Sequence, residues 1–347
     1  MTPIGLALHD RVRIVLEDAS RRDVQTVMNA TGASPTDVLE PTDIEVRFAD
    51  NTHGIDVHLP DDCCEQPFRM TVPTGQRRLP LLRSMVNVKM VYADLLPLHA
   101  SAWTCPSGGM LACGWSGGGK TGMLLAHLLH GAEYLAAEWA YVCPASSRIY
   151  GVPETLRLRS WHLRQGAGEV VNVRRQDQWR LWKTRLMAGV LRRSADWLPQ
   201  PQRLRRTLTK AAAGAQRRCY IDKPASSWLA TPSGSRSAPL QTVYFAGVHD
   251  SSAIDVKPVE LDAAHARLVA LQDEDLTDLD AQYRRWSYDH PRADAWRECW
   301  NRKRDRLIRQ MLVGKQLYAV DRPVTVGLTD LYRTLNSTMR TPCLQSL

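Results

Sequence analysis

No apolar run in this chain reaches the roughly 18 residues that a membrane-spanning helix needs, so a membrane partner is not expected. The first residues, MTPIGLALHDRVRIVLED, hold too short an apolar stretch for a secretory signal, and acids follow at once. The eight cysteines include no C-x-x-C pair, which argues against a zinc site. Cys63 and Cys64 are adjacent, so a bridge between them would be strained. Reduced thiols in a cytoplasmic protein are the simpler expectation. There is no internal repeat and no known nucleic-acid motif. Asp273, Glu274, Asp275, Asp278 and Asp280 lack calcium-loop spacing. They are expected to be a solvated helix entry or a partner for a basic segment.

What is present fits a globular chain. Its 347 residues, 44% hydrophobic and 23% charged, suffice for one large or two medium domains. The net charge of +9 is unevenly spread. From Arg174 to Lys223 there are 14 Lys and Arg against 3 Asp and Glu, which leaves the remainder slightly acidic. Arg192, Arg193, Arg203, Arg205, Arg206, Arg217 and Arg218 come in pairs and triplets, with Trp179, Trp182 and Trp197 interleaved. A basic segment on a near-neutral body suggests an acidic partner. An acidic peptide ranks ahead of nucleic acid, and a solvated helix face is the plain alternative.

Along residues 1–78, the pieces RVRIVLED, DIEVRFAD, GIDVHLP and FRMTVP alternate with a period of two and predict half-buried strands. One helix is expected around Ser20–Asn29. Residues 79–347 are expected to form the main domain. Its first helix is read at 81–96. PLHASAWTC, PSGG and MLACG then read as a β-hairpin. EYLAAEWAYVCP and SRIYGVP predict a further pair of strands. Segment 174–223 reads as mostly helical, broken at Pro199 and Pro201. A buried strand is expected at LQTVYFAGV, helices over 262–313, a strand at KQLYAVDRPVT and a final helix at LTDLYRTLNSTM.

The run GWSGGGKT, Gly114 to Thr121, fits the phosphate-loop pattern G-x-x-x-x-G-K-[ST] with no mismatch. Such a loop turns successive backbone N–H groups inward and forms a nest for phosphate oxygens. Gly114, Ser116, Gly117, Gly118, Gly119, Lys120, Thr121 and Gly122 are therefore candidate ATP contacts. The Lys120 ammonium would reach the β- and γ-phosphates, and the Thr121 hydroxyl would ligate Mg²⁺. Met110–Cys113 reads as a strand leading in, and TGMLLAHLLHG as the helix leading out, closed by Gly131.

Phosphoryl transfer also needs a proton acceptor and metal-binding carboxylates. Glu138 lies in an otherwise apolar run on the strand after that helix, an unusual place for a glutamate outside a site or an exposed strand face. His99, on the first hairpin strand, reads on chemistry alone as a satisfied core histidine. Arg157 and Arg159 alternate with leucines and share one strand face. They read as substrate contacts or as solvated edge residues.

The stretch LHASAWTCPSGGMLACGWSGGGKTGMLLAHLLHGAEYLAAEWAYV resembles the C-terminal domain of HPr kinase/phosphorylase and its broader relatives, which include small kinases of peptide natural-product pathways. The likeness covers about residues 90–165 and weakens over 220–260 and at the C-terminal strand and helix. It implies an α/β fold: a mixed-sheet core of the type shared with phosphoenolpyruvate carboxykinase, here with a β-rich N-terminal part and a basic helical insertion. It implies an ATP- and Mg²⁺-dependent kinase acting on a Ser or Thr hydroxyl of a peptide or small protein. His99 matches the family's histidine, and Glu138 matches the second of its two acids and would bind Mg²⁺ beside Thr121. Position 137 departs from the pattern, because Ala137 stands where relatives carry the aspartate that accepts the proton or holds metal. Three readings stay open: a natural pseudokinase, Glu138 serving both roles, or an engineered substitution. The glycine- and arginine-rich stretch that marks HPr kinase itself is missing, which argues against HPr as substrate. A nucleotide-binding scaffold for an acidic partner and a small-molecule kinase are the remaining alternatives, and self-association is left open.

Overall fold

The alternating N-terminal pieces form strands, as their period of two predicts. The computed structural model describes residues 2–340 apart from 51, 53, 61, 153, 170, 172, 198–201, 218, 228–236, 251 and 289–294. β1 (Ile4–Leu8), β2 (Val12–Glu17), α1 (Arg21–Thr31), β3 (Ser34–Thr36), β4 (Ile44–Ala49), β5 (Asp56–His58) and β6 (Phe68–Pro73) come first. Their six-stranded sheet runs β3-β1-β2-β4-β6-β5 and is mixed, with β4 parallel to both β2 and β6. The sequence patterns miss β1 and β3. Gly5 and Ala7 blur the alternation of β1, and β3 is a short edge strand that tolerates Pro35. α1 begins at a reciprocal cap: Asp23 N donates to Ser20 Oγ, and Ser20 N donates to the Asp23 carboxylate.

α2 (Leu82–Tyr92) follows, and its Leu82, Met85, Val86, Val88, Met90 and Val91 are all buried. A helix apolar on every side belongs inside a fold, and α2 touches both β2 and the next strand, β7 (Leu96–Cys105). The chain continues through β8 (Gly108–Cys113), α3 (Lys120–Leu128), β9 (Glu133–Ala136), β10 (Trp139–Cys143), β11 (Arg148–Gly151) and β12 (Thr155–Arg159). Then come α4 (Ser160–Arg164), α5 (Arg175–Trp197), α6 (Gln202–Arg217), β13 (Tyr220–Pro224), β14 (Ser237–His249) and β15 (Asp255–Pro258). The last elements are α7 (Leu261–Asp275), α8 (Thr277–Trp286), α9 (Ala295–Leu312), β16 (Gln316–Pro323) and α10 (Leu328–Arg340). Pro199, Pro201 and Arg218 lie outside the described residues.

The second sheet has eight strands in the order β11-β10-β7-β8-β14-β16-β15, with β9 also on β7. β14 is parallel to β8 and to β16, and the other pairs are antiparallel, so the fold is α/β with mixed sheets. The start of β14 also pairs with β11, which curls the sheet back on itself. One buried cluster joins the N-terminal sheet, α2 and one face of this sheet. A second, containing Trp103, Leu124, Leu156, Leu158, Tyr244 and Leu331, fills the other face beneath α3 and α10. β12 and β13 form a separate two-stranded ribbon. The shared direction of three strands positions the site: β8, β14 and β16 all end on the same side, the side where open α/β sheets hold ligands.

Within the acidic run at the α7–α8 junction, Asp273 and Asp280 are partners of α9 rather than of the basic segment. Asp273 pairs with Arg304 at 2.6 Å, and Asp280 pairs with Arg297.

Candidate functional site

The glycine run links the end of β8 to the start of α3, as the sequence predicts. Gly118 N–H donates to Trp115 O at 2.9 Å and closes the turn. Gly114 sits so close to β14 that a Cβ there would lie 2.4 Å from the Ala246 carbonyl oxygen. Gly119 caps α3 at φ +98, a left-handed conformation that side chains disfavour. A Cβ at Gly119 would also lie 2.5 Å from Arg322 Nε. The loop therefore needs glycine here for both conformation and space. Gly122 lies in the first turn of α3, also against the Arg322 guanidinium.

A cavity of about 390 Å³ opens above this loop. Ser116, Gly117, Gly119, Lys120 and Thr121 line it from the loop, and His99, Glu138, Arg157 and Arg159 line it from neighbouring strands. Trp161, His162 and Arg322 complete the wall. Gly114, Gly118 and Gly122 shape the loop from behind without lining the cavity. Lys120 is buried, and its ammonium donates to Gly114 O at 2.6 Å and Trp115 O at 3.2 Å. Burial holds its pKa below the ordinary lysine value, and the Glu138 carboxylate opposes that shift.

His99 and Glu138 meet by strand register. β7 pairs with both β9 and β10, and Ala100 N–H donates to Glu138 O at 3.0 Å between them. The strand expected after α3 is thus broken at residues 137–138 while its register along β7 continues. Residues 137 and 138 bend between the two strands. Glu138 reaches the cavity, and Ala137 is turned into the second hydrophobic cluster and is 3% exposed. The Ala137 carbonyl accepts from Ser101 Oγ at 2.7 Å. The structure therefore does not bring position 137, read from the resemblance as a catalytic position, to the cavity wall. In physical terms, the chain bends at 137–138 and the two side chains part, Glu138 to the cavity and Ala137 to the core.

His99 Nε2 is 3.2 Å from Glu138 Oε2, and Nδ1 is 3.4 Å from Asp275 Oδ1 at the end of α7. The imidazole stacks on Trp139 with ring centres 5.3 Å apart. Burial pushes the His99 pKa down, but the hydrogen bonds to Asp275 and Glu138 outweigh it, so the pKa rises above 6.5. Burial pushes Glu138 up, and the His99 hydrogen bond and charge outweigh that, with help from Arg157 and Lys120. The result is a carboxylate held below its ordinary range, next to an imidazole braced by a second acid. His99 is thus part of the polar site, a role that the neighbouring residues in sequence do not reveal.

Glu154 supports this pair from behind. Its Oε2 accepts from Trp139 N at 2.9 Å and Glu138 N at 3.3 Å, and its Oε1 meets Arg83 Nη2 at 3.0 Å. Arg83 also donates to Ala30 O and Thr31 O at the end of α1. One arginine thereby ties the N-terminal region to the backbone that carries Glu138.

The basic wall is richer than the sequence reading. Arg157 and Arg159 do share one face of β12 and do line the cavity. Arg157 is 3.3 Å from Asp222 on β13, and the Arg159 guanidinium lies over Trp161 at 5.0 Å. His162 Nδ1 accepts from Arg159 N at 3.2 Å, which leaves the proton on Nε2. Burial, with Arg322 and Arg159 nearby, lowers the His162 pKa to about 3 and keeps the ring neutral. Arg322, at the end of β16, is 4% exposed, and its Nε has no hydrogen-bond partner. The sequence reading missed Asp275, Glu154, His162 and Arg322. The signal for Arg322 is a charge at the end of an apolar strand, in AVDRP. Asp275 has no distinguishing signal within its run of acids.

Among the described residues, no three His, Cys, Asp or Glu side chains are grouped to hold a metal ion unaided. Thr121 and Glu138 do line one cavity. An oxygen pair of that kind suits Mg²⁺, which takes one or two protein oxygens and completes its shell with phosphate and water. Among the described residues, no helix is long and apolar enough to cross a membrane. Neither a protein-family model nor a curated protein matches this chain.

Proposed function

We propose that this chain is an ATP-dependent kinase of the HPr-kinase-like type, transferring the γ-phosphate to a hydroxyl of a peptide or small protein. One observation carries the reading: a complete glycine-lysine-threonine loop faces a carboxylate–imidazole pair across a single cavity. Loop amides and Lys120 would hold the phosphates. Arg159, Arg322 and the Nε2–H of His162 add donors on the opposite wall. Thr121 and Glu138 would hold Mg²⁺, whose part is to neutralise charge on the β- and γ-oxygens.

Among the described residues, Glu138 is the carboxylate that lines the cavity, so it is also the group that accepts the acceptor hydroxyl's proton. As that oxygen bonds to the γ-phosphorus, the bond from phosphorus to the ADP oxygen breaks. His99, braced by Asp275, orients Glu138 and tunes its basicity. A lowered pKa keeps Glu138 ionised at neutral pH. Because the methyl of Ala137 faces the core, its lack of a carboxylate does not by itself favour a nucleotide-binding scaffold.

The test is incubation of the unmodified chain with γ-labelled ATP and hydroxyl-bearing peptides. Label should appear on a Ser or Thr with the wild-type chain and be lost with Glu138→Gln. Nucleotide binding without transfer to any hydroxyl would leave the scaffold reading standing instead.

A further inference from the structure

Helix α5 carries two apolar faces. Leu181 is buried towards β13, and its carbonyl accepts from Cys219 Sγ at 3.5 Å. On the other side, Trp179, Trp182, Leu186, Met187 and Val190 are 52–60% exposed. Their spacing of i, i+3, i+7, i+8 and i+11 places them in one stripe, about 16 Å long at the helical rise. An exposed apolar stripe edged and interrupted by basic residues marks an interaction site. A concavity of about 860 Å³ follows it between Arg175, Trp179, Lys183 and Met187.

Charge selects the occupant. Exposed Arg175, Arg180, Lys183, Arg185, Arg192 and Arg193 frame the stripe. From Arg175 to Ser194 the one acid is Asp177, and it is paired with Lys223 on β13. A second copy of this chain would bring two basic helices face to face, which costs affinity. Nucleic acid would gain nothing from Leu186, Met187 and Val190. A bilayer would bury a continuous apolar face, yet here Arg175 and Lys183 stand in the same ridge as Trp179 and Met187. We infer that the outer face of α5 docks an acidic peptide segment with apolar residues at helical spacing.

The position of α5 gives this surface a use. The Lys223–Asp177 pair fixes the first turn of α5 to β13, and β13 pairs with β12, whose Arg157 and Arg159 line the cavity. A segment held on α5 therefore starts beside the candidate site. Its role as a tether for the phosphoacceptor rests on the kinase reading, whereas the surface itself does not.

The binding arm uses the full chain without nucleotide. A labelled helical peptide with leucines at i, i+3, i+4 and i+7 and glutamates elsewhere is titrated by fluorescence anisotropy, next to a twin carrying lysines. The glutamate peptide should bind and weaken with salt, and the lysine twin should not bind. Trp182→Glu with Leu186→Glu should weaken binding by roughly tenfold or more. Both positions are exposed, so the melting temperature and Mg²⁺–ATP affinity should stay as in the wild type. In the second arm, a serine-bearing peptide with the acidic segment should show a KM that rises in this variant while its kcat holds. Equal binding of both peptides, or unchanged binding by the variant, would overturn the docking surface. So would vesicles of phosphatidylserine that bind where the glutamate peptide does not, or a dimer that the variant dissolves. A docked peptide that never receives phosphate would sink the tether and the kinase reading, and leave the surface intact.

Discussion

Replacing Arg322 with glutamine should separate a ligand-binding cation from a structural one. The guanidinium is 4% exposed, lies against Gly119, and uses Nη1 on the Pro323 carbonyl while Nε has no partner. Burial pulls its pKa below the usual arginine value. Arginine nevertheless stays charged in proteins, so a cation is held out of water with poor compensation. Such a group is a burden on the free fold and an asset to an anion. The Arg322→Gln chain should therefore melt no lower than the wild type when no nucleotide is present. Losing a charge-assisted hydrogen bond costs about 1.5–3 kcal/mol, or roughly 10- to 150-fold in Mg²⁺–ATP affinity. At a nucleotide concentration about a thousand times the wild-type Kd, a hundredfold loss cuts ligand stabilisation from about 4.1 to about 1.4 kcal/mol. Melts with and without Mg²⁺–ATP, with calorimetric titration, measure both quantities. A variant that melts lower on its own and binds nucleotide as before would refute the assignment.

Three further outcomes are expected. Gly119→Ala adds a side chain at φ +98, about 1–2 kcal/mol of backbone strain, and pushes on Arg322; urea denaturation should show the loss and calorimetry should show no nucleotide binding. Glu154→Ala breaks a largely buried ion pair and frees the backbone of Glu138 and Trp139; a loss of about 3–5 kcal/mol in chemical denaturation is expected, and a near-neutral result would mean that the pair supports nothing. The His99–Glu138 contact should stabilise most between about pH 4.5 and 6.5. His99 has a raised native pKa, so its contribution is full below 6.5 and is lost as pH climbs through the raised value. Glu138 has a lowered one, so its contribution is full above 4.5 and is lost as pH falls through the lowered value. The melting-temperature gap between wild type and His99→Asn, followed across pH, should peak in that window, and a flat gap would contradict the coupling.

The amino-acid sequence by itself determined the parts whose physics is local. The loop from Gly114 to Thr121 is legible because tight backbone turns demand glycine at particular steps. The strands at 12–17 and 44–49 follow from their period of two, whereas the helix at 82–92 and the strand at 240–248 show as buried apolar runs without one. Arg157 and Arg159 could be put on one face because strand geometry has a fixed period of two. Tertiary structure alone decided which charges meet. Asp275 reaches His99 from a helix far along the chain, and nothing in DEDLTDLD distinguishes it from neighbours that pair with α9. Arg322 reaches the cavity because β16 runs parallel to β14 and β8, which brings its end to the loop. Packing likewise made Ala137 a core methyl, because its side chain lies in the second buried cluster. Local chemistry is written in neighbouring residues, but the sharing of a cavity depends on strand order, direction and pleat, and those are set when the whole core packs.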